Sequence, residues 1–125
     1  MVDDDRAVRQ SLGAALEDAG YAVTLASTGA EGLAALRASR IAVAIVDIRL
    51  RDMRGDDMIL AARKVLATDT RYLIYTGTLG YQLSEALIEA GVSRTDVMRK
   101  PAVDLGTITD AVRRLAPTEA CDAAE

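Results

Sequence analysis

The chain has 125 residues and a mass of 13.3 kDa, which is the size of about one domain. It contains no histidine and one cysteine, Cys121, which excludes a histidine base, a histidine or thiolate metal site and an internal disulfide. Its formal net charge of −4 argues against nucleic acid as the main partner, because phosphate binding needs clustered positive charge.

The first third of the chain predicts three strands with helices between them. Only Met1 and Val2 precede the first acidic residue, whereas strands usually run about 5–6 residues, so either the natural chain begins further upstream or this strand is unusually short. An apolar helical face follows, and Gly20 is placed to end that helix. Strands are then predicted at 21–26 and 41–46. The second of these is wholly apolar, which is typical of a strand buried on both faces.

The next helices alternate with a further strand. Thr28 and Glu31 have the spacing of a capping box at the start of the second helix. A third helix is predicted over 58–66, a strand at 72–76 and a fourth helix over 83–88, from the spacing of their apolar residues.

The C-terminal part predicts one more strand and one more helix. The strand falls at 96–99, and the helix runs over 105–115 with Asp104 as its N-cap and a proline beyond its end. The remaining segment, 117–125, is polar apart from its cysteine and is predicted to be a disordered tail after a single domain at 1–116.

Five strand–helix units in series predict an α/β fold, in which helices cover both faces of a doubly wound, five-stranded parallel sheet. No apolar run approaches the length needed to cross a bilayer, and residues 1–5 are acidic where a secretory signal would be basic. The sequence therefore predicts a soluble, cytoplasmic protein without a membrane partner.

Charged and hydroxyl side chains follow several of the predicted strands. The carboxylates of Asp3–Asp5 and Asp47, the hydroxyl of Thr76 and the ammonium of Lys100 all stand at carboxyl ends of strands, where parallel sheets bind ligands. Converging carboxylates repel unless a cation neutralises them, and oxygen ligands favour a hard ion such as Mg²⁺ or Mn²⁺. A carboxylate beside that ion can attack phosphorus, while the ammonium and the hydroxyl share the negative charge. The cluster predicts phosphoryl transfer.

Four motifs in this order make the chain resemble the receiver domain of two-component response regulators. They are Val2–Arg9, Val46-Asp47 with Gly55 downstream, Tyr75-Thr76-Gly77 and Lys100-Pro101. The resemblance covers the chain from Val2 to about Leu115. It implies a flavodoxin-like strand order, 2-1-3-4-5, and a signalling domain that is not a classical enzyme but takes part in phosphoryl transfer and dephosphorylation.

The resemblance also implies a role for individual residues. Asp47 would be phosphorylated, and Mg²⁺ would be held by Asp4, Asp47 and the backbone carbonyl of Arg49, with Asp3 in support.

Two further side chains would complete the site. Thr76 would turn toward a phosphoryl oxygen and Lys100 would pair with another, aimed by Pro101, while Gly77 would leave the approach to Asp47 open. The partner would be a histidine kinase or a histidine phosphotransfer protein. An output protein or a second copy of the chain would use the face formed by the fourth helix, the fifth strand and the fifth helix.

Three positions depart from the family pattern. Val97 stands where the family has the aromatic residue that turns inward on phosphorylation, so the activated state must be communicated differently or weakly. Arg49, two residues after Asp47, is expected to alter the lifetime of the phosphorylated state. Arg51 replaces the usual proline, so the loop after Asp47 is expected to be looser. The stretch from Gly91 to Lys100 is longer than usual, so the fifth strand is expected to start late or to be shifted.

Alternatives remain open from the sequence. Asp5 is interpreted mainly as a solvated loop carboxylate or an N-cap of the first helix, and Asp56-Asp57 as charges complementing the dipole of a helix N-terminus. One rival function is an aspartyl-phosphate phosphatase of the haloacid dehalogenase type, which needs a second carboxylate where this chain has Arg49. The other is a degenerate receiver that binds a partner without phosphorylation.

Overall fold

The computed structural model of the chain describes residues 1–65, 69–100 and 105–116. In chain order, these residues form α1 (Arg6–Asp18), α2 (Gly29–Ala38), β1 (Val43–Val46), α3 (Gly55–Val65), β2 (Arg71–Thr76), α4 (Glu85–Glu89), a 3₁₀ turn (Arg94–Asp96), β3 (Val97–Arg99) and α5 (Leu105–Leu115). Three features discussed above lie outside the described residues: the predicted tail at 117–125 with Cys121, the predicted N-cap Asp104, and Pro101.

The sheet is parallel and its strands follow the predicted order. β1 pairs with β2 and β2 with β3, so that Val46 stands opposite Ile74. On the free side of β1, Val2 forms parallel bridges with Val46 and with Ala26. The segment at 1–3 therefore lies between residue 26 and β1.

Two predicted strands, at 1–2 and 21–26, are reduced to these single bridges. Met1 accepts a backbone hydrogen bond from Ala26, and Asp3 donates one to Ala26 in turn, at 2.8 and 3.0 Å. Between the segments at 1–3 and 21–26, these bonds form one bridge and not a regular ladder. The regular part of the sheet, as far as the structure describes it, has three strands rather than the five predicted.

Side chains that alternate along β1 and β2 build a core on each face of the sheet. Val46 and Ile74 belong to one cluster, which α2, α3 and α4 cover. Ile45 and Leu73 belong to the other, which α1 and α5 cover. Each fully buried aliphatic side chain of this kind contributes about 1.5–3 kcal/mol of hydrophobic stabilisation. The predicted double coverage is confirmed.

Local capping sets where the first two helices begin. The carboxylate of Asp5 accepts hydrogen bonds from the backbone N–H groups of Ala7 and Val8, which confirms it as the N-cap of α1. Thr28 caps α2 as predicted, but the reciprocal half of the capping box is wrong. The carboxylate of Glu31 instead accepts from the backbone N–H and the hydroxyl of Ser27, one residue earlier.

The fourth helix and the fifth strand are shorter than the sequence predicted. α4 begins after its N-cap Ser84 and so excludes position 83, and Ile88, predicted to lie on its apolar face, is 41% exposed. β3 begins only at Val97, because Asp96 closes the preceding turn by accepting a hydrogen bond from the backbone of Ser93. The expected late start of this strand is confirmed. Within the described residues, no helix combines the length and the hydrophobicity needed to cross a bilayer.

Candidate functional site

Asp3 follows Val2, which pairs with Ala26 on one side and with Val46 on the other. Its side chain is 2% exposed, and one carboxylate oxygen accepts a hydrogen bond of 2.9 Å from the backbone N–H of Asp5. The guanidinium of Arg9 in α1 donates to the backbone carbonyl of Asp3 at 2.7 Å. Both contacts fix the carboxylate at the carboxyl edge of the sheet.

Asp47 follows β1 directly and is held beside Asp3. Its backbone N–H donates to the carbonyl of Val2 at 2.9 Å, which brings the two acidic positions to the same edge. The Oδ1 atom accepts from the backbone N–H of Ile48 at 2.8 Å, and the side chain is 8% exposed. The Oδ2 atom therefore points away from the strand and toward the neighbouring charges.

Lys100 supplies the cation between these carboxylates. Its backbone N–H donates to the carbonyl of Thr76 at 2.9 Å, which aligns it after β3. Its Nζ lies 2.6 Å from Asp3 Oδ2 and 3.1 Å from Asp47 Oδ2, and its side chain is 18% exposed. The same ammonium lies 5.5 Å from the centre of the Tyr75 ring, within cation–π range.

The pKa values of Asp3 and Lys100 are set by the competition between burial and the hydrogen bonds within the cluster. Burial raises the pKa of Asp3, although the hydrogen bond from Lys100 and the amide of Asp5 oppose that shift. Burial alone would lower the pKa of Lys100, but its hydrogen bonds to Asp3 and Asp47 outweigh it and raise that pKa. The ammonium is therefore held charged by the carboxylates that it neutralises.

Three carboxylates converge closely enough to share one cation. Asp3, Asp4 and Asp47 each offer an oxygen, and these atoms lie within 4.8 Å of one another. Asp3 and Asp47 are buried while Asp4 is partly exposed, so the cluster opens to solvent on the side of Asp4. An all-oxygen donor set of this kind suits a hard divalent ion.

The structure places the other predicted site residues around this cluster. Thr76 is fully buried, and its hydroxyl accepts a hydrogen bond of 3.0 Å from the backbone N–H of Thr78. A Cβ atom at Gly77 would lie 3.6 Å from the Lys100 side chain, which is ordinary contact. The side chain of Arg49 is exposed, and its backbone bridges antiparallel to Arg54.

The acidic residues that the sequence assigned to a helix N-terminus do lie at the start of a helix. Asp56 and Asp57 are in the first turn of α3, and Asp56 pairs with Arg54 at 3.0 Å. Asp5, as the N-cap of α1, does not join the three converging carboxylates.

Gly55 supports the site in a way that the sequence pattern did not explain. A Cβ atom at this position would collide with the backbone carbonyl oxygen of Asp47 and would come within 2.9 Å of the Val46 side chain. Its backbone N–H donates to the carbonyl of Ile48 at 2.8 Å. The loop after Asp47 therefore closes onto the start of α3 only because this residue lacks a side chain.

Asp52 is a further anchor of that loop, and sequence reasoning missed it. Its two carboxylate oxygens accept hydrogen bonds from the backbone N–H groups of Gly29 at 2.8 Å and Ala30 at 2.9 Å, at the N-terminus of α2. These amides lower the pKa of Asp52. The contact joins positions more than twenty residues apart, so no local pattern signals it.

Comparison with known proteins gives one consistent family. The sequence model of the response regulator receiver domain matches residues 1–113. The photosynthetic apparatus regulatory protein RegA of Cereibacter sphaeroides is 34% identical over 90% of the chain and 59% of its own length. The acid tolerance regulatory protein ActR of Rhizobium meliloti is 35% identical over 82% and 51%, respectively. The chain thus spans about half the length of these curated relatives.

Solved structures share the fold. A CheY-like response regulator receiver domain protein from Methanospirillum hungatei has 29% identity and a TM-score of 0.75, over 98% of this chain and 91% of that one. The Vibrio cholerae chemotaxis protein CheY4 has 28% identity and a TM-score of 0.79, over 91% and 93%.

Proposed function

Because the chain belongs to the response regulator receiver family, we propose that Asp47 accepts a phosphoryl group from a histidine kinase or a histidine phosphotransfer protein, and that this switches a signalling output. The observation that carries the proposal is the position of Asp47 Oδ2, which lies 3.1 Å from the ammonium of Lys100 beside two further carboxylates. This is a buried carboxylate oxygen with positive charge next to it and an opening to solvent.

The proposed transfer is a displacement at phosphorus. A carboxylate oxygen of Asp47 forms a bond to phosphorus as the bond from phosphorus to the donor nitrogen breaks, and the electron pair leaves with the nitrogen. The product is an acyl phosphate on Asp47. Its hydrolysis reverses the switch: water adds to phosphorus, inorganic phosphate leaves and the carboxylate is restored.

Two side chains are proposed to bind the transferred group. The Lys100 ammonium already contacts the Asp47 carboxylate, so a phosphoryl oxygen attached there lies within its reach. The Thr76 hydroxyl stands at the same edge of the sheet, at the end of the neighbouring strand. Charge-assisted hydrogen bonds of this kind are about twice as strong as neutral ones.

Receiver domains bind Mg²⁺ at an acidic site, and the donor set here fits that ion. We assign Asp4, Asp47 and the backbone carbonyl of Arg49 as its ligands, with Asp3 in support; Mn²⁺ would suit the same oxygens. When bound, the ion supplies positive charge to the oxygens of the transferred phosphoryl group.

The proposed partners follow from the same chemistry. The phosphodonor is a histidine kinase or a histidine phosphotransfer protein. An output protein or a second copy of the chain is proposed to bind the face formed by α4, β3 and α5, where Ile88 is 41% exposed.

The test is incubation of the full chain with a small phosphodonor and Mg²⁺, followed by intact-mass measurement. We expect an adduct of one phosphoryl group that is absent from Asp47→Asn and present in Asp57→Asn, an exposed carboxylate in the first turn of α3.

No adduct on the parent chain, or an adduct that survives Asp47→Asn, would overturn the proposal in favour of a receiver that acts without phosphorylation. Steady turnover of a small phosphate ester would instead favour the phosphatase.

A further inference from the structure

Arg99 at the end of β3 binds the loop that follows β2. It stands opposite Thr76 in the register of the two strands. Its guanidinium donates to the backbone carbonyl of Tyr81 at 2.8 Å and to that of Thr78 at 3.3 Å. A single side chain therefore holds both ends of a short turn, which contains Gly80 at φ +71°.

The peptide units of Thr78 connect this turn to the candidate site. The backbone N–H of Thr78 donates to the Thr76 hydroxyl, while the carbonyl of Thr78 accepts from Arg99. Arg99 thus fixes the position of Thr78, whose backbone N–H donates a hydrogen bond to the Thr76 hydroxyl. Leu79, which is 96% exposed, lies between the two carbonyls that Arg99 holds.

We propose that Arg99 is a positioning residue that holds Thr76 in its resting hydrogen bond to Thr78 and so opposes the turn of that hydroxyl toward a phosphoryl group on Asp47. The inference rests on the proposed function. This chain has Val97 rather than an aromatic ring on β3. In its place, the contact of Arg99 with Thr78 links the proposed phosphorylation site to an exposed loop.

The direction of the effect follows from linkage. When the Thr76 hydroxyl turns toward the phosphoryl group, the amide of Thr78 loses its acceptor and the loop is released on that side. Hydrogen bonds that Arg99 makes to the resting loop stabilise the resting state, and a contact specific to one state shifts the equilibrium toward it. Removing Arg99 therefore lowers the cost of turning and raises the affinity for a phosphoryl analogue, by about fivefold for the loss of one typical hydrogen bond.

The experiment measures the dissociation constant of beryllofluoride, a phosphoryl mimic, by calorimetry on the full chain in Mg²⁺. The variants are Arg99→Ala and the matched control Arg114→Ala, because Arg114 donates to Asp96 and to the carbonyl of Thr95 just before the same strand. We expect Arg99→Ala to bind about fivefold more tightly and Arg114→Ala to bind like the parent chain. In a Thr76→Val background, Arg99→Ala should have no effect, since the hydroxyl it restrains is gone.

Equal affinities of the parent chain and Arg99→Ala, or the same gain in the Thr76→Val background, would overturn the inference while leaving the proposed function intact. A parent chain that binds no beryllofluoride would overturn both.

If Arg99→Ala does not fold, Arg99→Lys takes its place, since one lysine nitrogen replaces the two guanidinium nitrogens that bind the two carbonyls separately and cannot reproduce that planar fork. We then expect a smaller gain in affinity and faster hydrogen exchange at the Thr78 amide. An unchanged affinity with unchanged exchange contradicts the role of Arg99.

Discussion

The ammonium of Lys100 donates a hydrogen bond of 2.6 Å to Asp3, a residue 97 positions away in the chain. This contact is shorter than the one from the same ammonium to Asp47, at 3.1 Å. The lysine therefore neutralises the most buried carboxylate of the site and leaves Asp47 less tightly held. Such an arrangement suits the phosphoacceptor role that we propose for Asp47.

Removing this ammonium should destabilise the chain in a way that a divalent cation can repair. Lys100→Met leaves Asp3 and Asp47, which are 2% and 8% exposed, without their counter-charge. We expect a loss of about 2–3 kcal/mol in the free energy of unfolding without Mg²⁺, since breaking a buried ion pair is costly and Lys100 itself is partly exposed. Mg²⁺ should restore most of that loss. Urea unfolding with chelator and with Mg²⁺ measures both.

The matched control for this change is Lys64→Met. Lys64 is the other lysine of the chain, and it is exposed in the last turn of α3. Replacing Lys64 should change neither the free energy of unfolding without Mg²⁺ nor the effect of adding Mg²⁺. A loss in Lys100→Met that is the same with and without Mg²⁺ would contradict the shared-cation interpretation.

Gly55→Ala should destabilise the fold by about 2–3 kcal/mol, because the added methyl group meets the backbone of Asp47 rather than a movable side chain. Thermal or urea unfolding provides the measurement. Gly77→Ala is the control, since a Cβ there makes only ordinary contact with Lys100. Equal stability of the two variants would show that the loop after Asp47 adjusts freely.

Thr76→Val preserves the shape of a fully buried side chain but removes its hydroxyl. We expect phosphorylation by a small donor to slow by about tenfold, the value of one hydrogen bond to a charged group. Thr70→Val is matched to it, since Thr70 is also buried and its hydroxyl donates to the carbonyl of Ile41, away from the carboxylate cluster. If the two variants are phosphorylated at the same rate, Thr76 has no part in transfer.

Arg49→Ala should shorten the lifetime of phosphorylated Asp47 by about threefold. The side chain is exposed two residues after Asp47, and an exposed charge pair contributes less than about 1 kcal/mol. Dephosphorylation followed by intact mass measures the lifetime, with the exposed neighbour Arg51→Ala as control. Identical lifetimes in the parent chain and Arg49→Ala would remove this role.

Asp52→Asn should weaken the fold at neutral pH and lose its effect in acid. The amides of Gly29 and Ala30 hold the pKa of Asp52 below its ordinary value of 3.8. A carboxyl group with a lowered folded pKa stabilises the fold above its unfolded pKa, and this contribution disappears as the pH falls through the folded pKa. The difference in unfolding free energy between the parent chain and Asp52→Asn should therefore shrink across that range.

Asp69→Asn controls for the loss of an acidic residue, because the contact that Asp69 makes among the described residues is an exposed ion pair with Arg40. A constant difference between the parent chain and Asp52→Asn down to low pH would show that the carboxylate does not act through its charge at the start of α2.

Local sequence patterns predicted much of the fold because they record which face of an element is buried. The apolar run at 41–46 predicted a strand covered on both sides, and alternate residues of β1 do enter different cores. The residues that follow the strands predicted the carboxylate cluster for a similar reason, since parallel strands end at one edge. Ile88 was misplaced because α4 has only five residues, too few for its apolar spacing to define a buried face.

Contacts between distant loops were not predictable in this way. The bonds from Asp52 to α2 and from Arg99 to Tyr81 depend on loop conformations that tertiary packing selects. The sequence grouped Asp3 with the metal ligands and indicated Lys100 as a partner of the phosphoryl group, but not that the two would pair. That preference arises from burial, which makes the most enclosed carboxylate the one most in need of a counter-ion.

The pairing of Val2 with both Ala26 and Val46 also has a consequence for biosynthesis. Residues 1–3 acquire both of their neighbours only after residue 47 has been synthesised, although they leave the ribosome earlier. Until then these few residues can pair only on the side of Ala26, and the buried setting that Asp3 shares with Asp47 does not exist. Residues 1–3 can therefore take their place between residue 26 and β1 only after the later of these two neighbours has been synthesised.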